Sequence, residues 1–90
     1  MIGVYIQAPS LTVEQYKTID DKLRTAVGGS IEGLKLHSCF REGDGLAIFD
    51  VWDSQEAFEA LGSKLMPIVH EVGAEMSPPQ FVEMIAYEVA

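Results

Sequence analysis

Cysteine occurs once, at Cys39, so no internal disulfide can staple the chain, and a reducing, cytoplasmic setting is expected. Basic residues are also scarce. Six Lys and Arg stand against fourteen Asp and Glu, a net charge of −8; such a surface repels phosphate backbones and anionic lipid, so no nucleic acid and no membrane is expected as a partner. No apolar run approaches the ~20 residues of a membrane span. The opening MIGVYIQAPS has no basic stretch ahead of its apolar one and is read as mature protein rather than a signal peptide. GxGxxG, Walker and GxSxG sequences are missing, which leaves nucleotide binding and a nucleophile elbow without support. His37-Ser38-Cys39 puts two potential metal donors on one strand face, with nothing else near in sequence. Neither a metal nor a cofactor is therefore expected.

What is present suffices for one modest core. A chain of 90 residues buries about 64% of its unfolded surface, close to the lower limit for folding alone, so association into an oligomer is expected. One domain spans residues 1–90. From Ile2 to Ala8 the side chains alternate, Ile2, Val4 and Ile6 against Gly3, Tyr5 and Gln7, which predicts a strand. Thr12 followed by Gln15 is a capping box, and Tyr16, Ile19, Leu23 and Val27 recur at helical spacing until Gly28-Gly29. Tyr16 is expected to pack there with its hydroxyl at the surface. Leu34 to Arg41 and Leu46 to Asp53 alternate again around Glu42-Gly43-Asp44-Gly45, which predicts a hairpin. Asp53-Ser54 opens a second helix through Phe58, Leu61 and Leu65. Pro67 is expected to break it near Leu65 and start a short helix ending at Gly73. A last strand is predicted over Gln80 to Val89.

The order βαββαβ is that of a ferredoxin-like α+β sandwich, one antiparallel sheet with both helices on a single face. The other face would be bare. If it carries Ile48, Trp52, Ile85 and Tyr87, a second copy packed sheet to sheet would cover it, which makes a homodimer the expected state.

An even-numbered loop after Arg41 sets Arg41 opposite Leu46, Cys39 opposite Ile48, His37 opposite Asp50 and Lys35 opposite Trp52, and groups Leu36, Phe40, Phe49 and Val51 on the helix-covered side. A carboxylate beside an imidazole holds one tautomer and raises its basicity, as a general base near neutral pH requires. His37 and Asp50 are thus the candidate catalytic pair, beneath Trp52, with Tyr5 and Tyr87 as candidate proton donors or substrate contacts. Cross-strand polar pairs also form simply to satisfy each other, and a tryptophan placed like Trp52 is more often barrel core or dimer contact than a reactive element. His70, beside Glu71 near a helix end, suits the helix dipole.

GDGLAIFDVWDSQEAFEAL, a hairpin strand ending in Val-Trp-Asp-Ser and entering a helix, followed by LMPIVHEVG, resembles the dimeric α+β barrels of the antibiotic-biosynthesis-monooxygenase type, and the resemblance runs the whole chain. It implies a cofactor-independent enzyme acting on an apolar aromatic or polyketide-like molecule by oxygenation, cyclisation or isomerisation, with Trp52 lining the cavity. Members without assigned activity leave a non-catalytic ligand-binding or structural homodimer as the alternative. Haem-degrading relatives use an asparagine on the first strand and a histidine early in the helix after the tryptophan. This chain has no asparagine, Gln7 is the nearest substitute, and His70 lies beyond Pro67.

Overall fold

The computed structural model describes residues 1–90, and its helix ends show why the chain folds where it does. Thr12 caps α1 (Val13–Val27): its hydroxyl accepts the Gln15 N–H at 3.1 Å while the Gln15 amide oxygen accepts the Thr12 N–H at 3.0 Å. Gly28, at φ 79°, closes α1 in the left-handed conformation. Ser54 caps α2 (Gln55–Val72) through the Ala57 N–H at 3.1 Å.

Strands β1 (Ile2–Ala8), β2 (Leu34–Glu42), β3 (Gly45–Trp52) and β4 (Gln80–Glu83) form one antiparallel sheet in the order β2-β3-β1-β4. Glu42 pairs with Gly45, leaving Gly43-Asp44 as a tight hairpin turn; Gly43 has φ 60°, where a first-position glycine matches the strand twist. The register expected for Arg41, Cys39 and His37 is observed, opposite Leu46, Ile48 and Asp50.

Four expectations are corrected. Pro67 does not split α2. Its ring lies on the exposed side, so the carbonyl it leaves without a donor meets water, while Leu65, Ile68 and Val69 pin both halves to the core. Trp52 faces Leu34 rather than Lys35, because a bulge between Leu34 and Leu36 makes Lys35 the extra residue; Lys35 instead meets Asp53 at 3.2 Å. The last strand stops at Glu83 rather than Val89. Glu83 already pairs with Ile2, where β1 begins, so the chain beyond Met84 has no strand to join, and Ile85 is 87% exposed.

The sheet face that the helices cover is also the opposite of the one expected. Ile2, Val4, Ile6 and Ala8 face the helices, and Ile2 is opposite Trp52, Val4 opposite Asp50 and Ile6 opposite Ile48. Helix-covered side chains therefore include His37, Cys39, Ile48, Asp50 and Trp52, and the bare face carries Leu36, Phe40, Phe49 and Val51. Both hairpin faces are apolar, so alternation within the hairpin cannot orient it; pairing with β1 does. On the bare face Gly3 leaves room for Val82, Met84 and Phe49, whose atoms would stand 2.8–2.9 Å from a Cβ there.

The core runs between sheet and helices in two adjoining clusters, one around Ala8, Leu11, Ile19, Leu46 and Val69, the other around Val4, Ile6, Ile48 and Trp52. Tyr16 touches both.

Candidate active site

Asp50 is the one charged side chain buried in the core, and the ladder supplies its partner. His37, its cross-strand neighbour, brings Nδ1 to 2.6 Å from Asp50 Oδ1; the two side chains are 27% and 10% exposed. A carboxylate so enclosed needs a charge-assisted hydrogen bond to offset lost hydration. That bond raises the His37 pKa above its ordinary 6.5, against the opposing effect of burial.

The second imidazole nitrogen is also engaged. Tyr16, on α1, places its hydroxyl 2.6 Å from His37 Nε2, with the rings nearly parallel at 12°. With Nδ1–H donating to Asp50, a neutral ring leaves Nε2 as acceptor and the Tyr16 O–H as donor. Burial, then the charge Cys39 takes on only at high pH and the charge of Asp20, pushes the Tyr16 phenol up to about 12, so it stays protonated. Burial likewise raises the Cys39 thiol, which is no nucleophile here.

Tyr16, His37 and Asp50 line a narrow cavity of about 60 Å³ between sheet and helices, walled by Ile6, Leu23, Ile48, Phe58, Leu65 and Met76. Trp52 lines it too, fully buried, with its indole steeply inclined to the Phe58 ring at 73° and the centroids 5.8 Å apart. Its Nε1–H has no acceptor. Asp20 and Arg24, paired at 3.1 Å, complete the wall on the α1 side.

His37, Asp50 and Trp52 are thus brought together, but beneath the helices rather than on the bare face. Tyr5 is not with them. It projects from the bare face, where its hydroxyl donates to Glu42, with Gln7 adding a second bond to Glu42 at 3.1 Å. These donors hold the Glu42 carboxyl below its usual range, and the bond to Glu42 raises the Tyr5 phenol. Tyr87 lies beyond β4 and does not line the cavity. His70 is exposed in the last turn of α2.

Tyr16 is the site residue that sequence reasoning misplaced. Its position on the apolar stripe of α1 aims it at the sheet, and a histidine with one nitrogen on a carboxylate still needs a partner for the other. No group of three or more His, Cys, Asp or Glu could hold a metal ion. Haem does not fit either: both His37 nitrogens are occupied and His70 is on the surface.

No protein-family model and no curated protein matches the chain. Solved structures do. A mutant of SnoaB, a cofactor-independent oxygenase from Streptomyces nogalater, superposes with a TM-score of 0.62 at 13% identity, covering 96% of this chain and 93% of that one. The NE2512 protein of unknown function from Nitrosomonas europaea gives 0.59 at 17% identity, covering 99% and 93%. A Deinococcus radiodurans protein proposed as an antibiotic biosynthesis monooxygenase gives 0.53 at 13% identity, covering 100% and 96%. At these identities the likeness is one of architecture: over nearly its whole length the chain has the ferredoxin-like α+β fold of the antibiotic-biosynthesis-monooxygenase-like proteins.

Proposed function

We propose that the chain is a small cofactor-independent enzyme acting on an apolar aromatic or polyketide-like molecule, and that its first step is loss of an acidic proton to a base formed by His37 and Asp50. The observation that carries this is the 2.6 Å contact between His37 and Asp50 at the wall of an apolar cavity. Asp50 orients the imidazole and faces the imidazolium that forms. The idle Trp52 Nε1–H favours a ligand with an oxygen acceptor, since a buried donor left unpaired costs about 1–3 kcal/mol. Cofactor-independent oxygenation, the activity of SnoaB, agrees with such a first step. Oxygenation, cyclisation and isomerisation can each begin from the resulting anion.

Substrate entry requires the site to open. The cavity holds about 60 Å³, whereas benzene occupies an engineered cavity of about 150 Å³. Side chains of the cavity wall, Met76 and Leu65 among them, would have to swing aside. That small volume favours a second reading, a non-catalytic homodimer that carries a small ligand or none. In either case a second copy of the chain is the proposed cover for the bare face.

A panel of phenolic and polyketide-like aromatics, scored for thermal stabilisation and for product by mass spectrometry, separates the two. The enzyme reading expects a stabilising compound that is converted, with conversion falling about 100-fold or more in His37→Gln. Conversion unchanged in that variant would remove the base, and binding without product would favour the carrier.

A further inference from the structure

The proposed base does not meet the cavity with a free lone pair. Nδ1 of His37 is committed to Asp50 and Nε2 to the Tyr16 hydroxyl, each at 2.6 Å. Neutral imidazole has one lone pair available for a proton, on Nε2 in this tautomer, and Tyr16 already fills it. A substrate could reach Nε2 only by displacing a phenol that is hydrogen-bonded to the imidazole, nearly coplanar with it, and anchored in α1. The Tyr16 oxygen, by contrast, keeps acceptor capacity while it donates, and Tyr16 lines the cavity.

We propose that the Tyr16 hydroxyl is the group that meets the substrate, and that it relays the substrate's proton to His37. This rests on the reading of His37 as a base and adds a second catalytic residue to it. In the step, the substrate's C–H or O–H bond breaks as a new O–H bond forms on Tyr16. The original Tyr16 O–H bond breaks at the same time as N–H forms on His37 Nε2. The substrate keeps the electron pair and leaves as an anion; Tyr16 ends neutral; His37 ends as an imidazolium with its Nδ1–H still on Asp50. No free phenolate is formed, consistent with a phenol that resists ionisation up to about 12. Asp20 and Arg24, paired at 3.1 Å, stand along the same side of α1 and line the same cavity.

Ring opening of 5-nitrobenzisoxazole begins with loss of a carbon-bound proton and releases a coloured phenolate, so it reads proton abstraction without the natural substrate. The relay expects both His37→Gln and Tyr16→Phe to lose about 10-fold or more of the wild-type rate, with circular dichroism showing both variants folded. Tyr16→Phe as fast as wild type, or faster, would overturn the relay and leave His37 acting directly. His37→Gln equal to wild type, at any rate, would overturn the base reading and the relay together. Acylation by diethyl pyrocarbonate supplies a readout independent of turnover. His37 should react at least about 10-fold more slowly than exposed His70 and speed up in Tyr16→Phe; equal reactivity of the two histidines in the wild type would show that no cap exists and overturn the relay.

Discussion

Asp50 stands directly across the β2–β3 ladder from His37, with Oδ1 2.6 Å from Nδ1, on the side of the sheet that the helices cover. The pair is therefore held by backbone register as well as by its own hydrogen bond, and it is enclosed within a single chain.

This enclosure makes stability depend on pH. Folding raises the His37 pKa above 6.5, chiefly through the Asp50 hydrogen bond, so the folded state holds that proton more tightly than the unfolded chain. The stabilisation is complete below about pH 6.5 and is lost as pH rises through the folded value. Urea unfolding at about pH 6 and about pH 9 should show this loss in the wild type and not in His37→Gln. An identical pH dependence in the two proteins would show that the pair contributes no such linkage.

Trp52 combines two roles that substitution can separate. Trp52→Ala should cost about 3–5 kcal/mol of unfolding free energy, because it empties the centre of the second core cluster. Trp52→Phe keeps an aromatic ring and removes the unpartnered N–H, so it should cost less, within about 3 kcal/mol. If the indole N–H receives a ligand oxygen, affinity should fall in Trp52→Phe by about 10-fold, as for the loss of one hydrogen bond. Calorimetric titration with a compound identified in the aromatic panel checks the second effect.

Pro67 interrupts the hydrogen-bond ladder of α2 without ending the helix. Pro67→Ala restores a backbone donor at an exposed position and should stabilise the protein, by up to about 3 kcal/mol and less if the helix has bent to accommodate the ring. The denaturant midpoint should rise. A fall would mean that the proline relieves strain rather than adding it.

The bare face presents Phe40 at 43% and Val82 at 48% exposure, around Leu36 and Phe49. A second copy covering this face predicts a dimer by light scattering at micromolar concentration, and a monomer after Phe40→Glu, which would bury an unpaired carboxylate in the interface. A wild-type monomer would contradict the proposed assembly.

Local signals in the chain specified most of this architecture. Thr12 with Gln15, Ser54 and the glycines at positions 28 and 73 mark helix ends by the hydrogen bonds they form, and the tight Gly43-Asp44 turn sets His37 against Asp50. The side of the sheet on which that pair lies depends on the pairing of β3 with β1, between segments far apart in sequence, and both hairpin faces are apolar enough to be core. The same long-range pairing shortened the last strand, because β1 offers no partner past its first residue. The contact of Tyr16 with His37 depends on how α1 crosses the sheet, and helical periodicity orients a stripe without naming the atom it meets. Pro67 shows tertiary packing prevailing over a local helix breaker.

Nitrogen-detected NMR of the His37 ring across pH tests the pair most directly. The account predicts that the wild-type ring titrates above 6.5 and that its neutral form carries the proton on Nδ1 with Nε2 bare; Asp50→Asn should lower the titration midpoint. A midpoint at or below 6.5 that Asp50→Asn leaves unmoved, or a neutral ring protonated on Nε2, would contradict it.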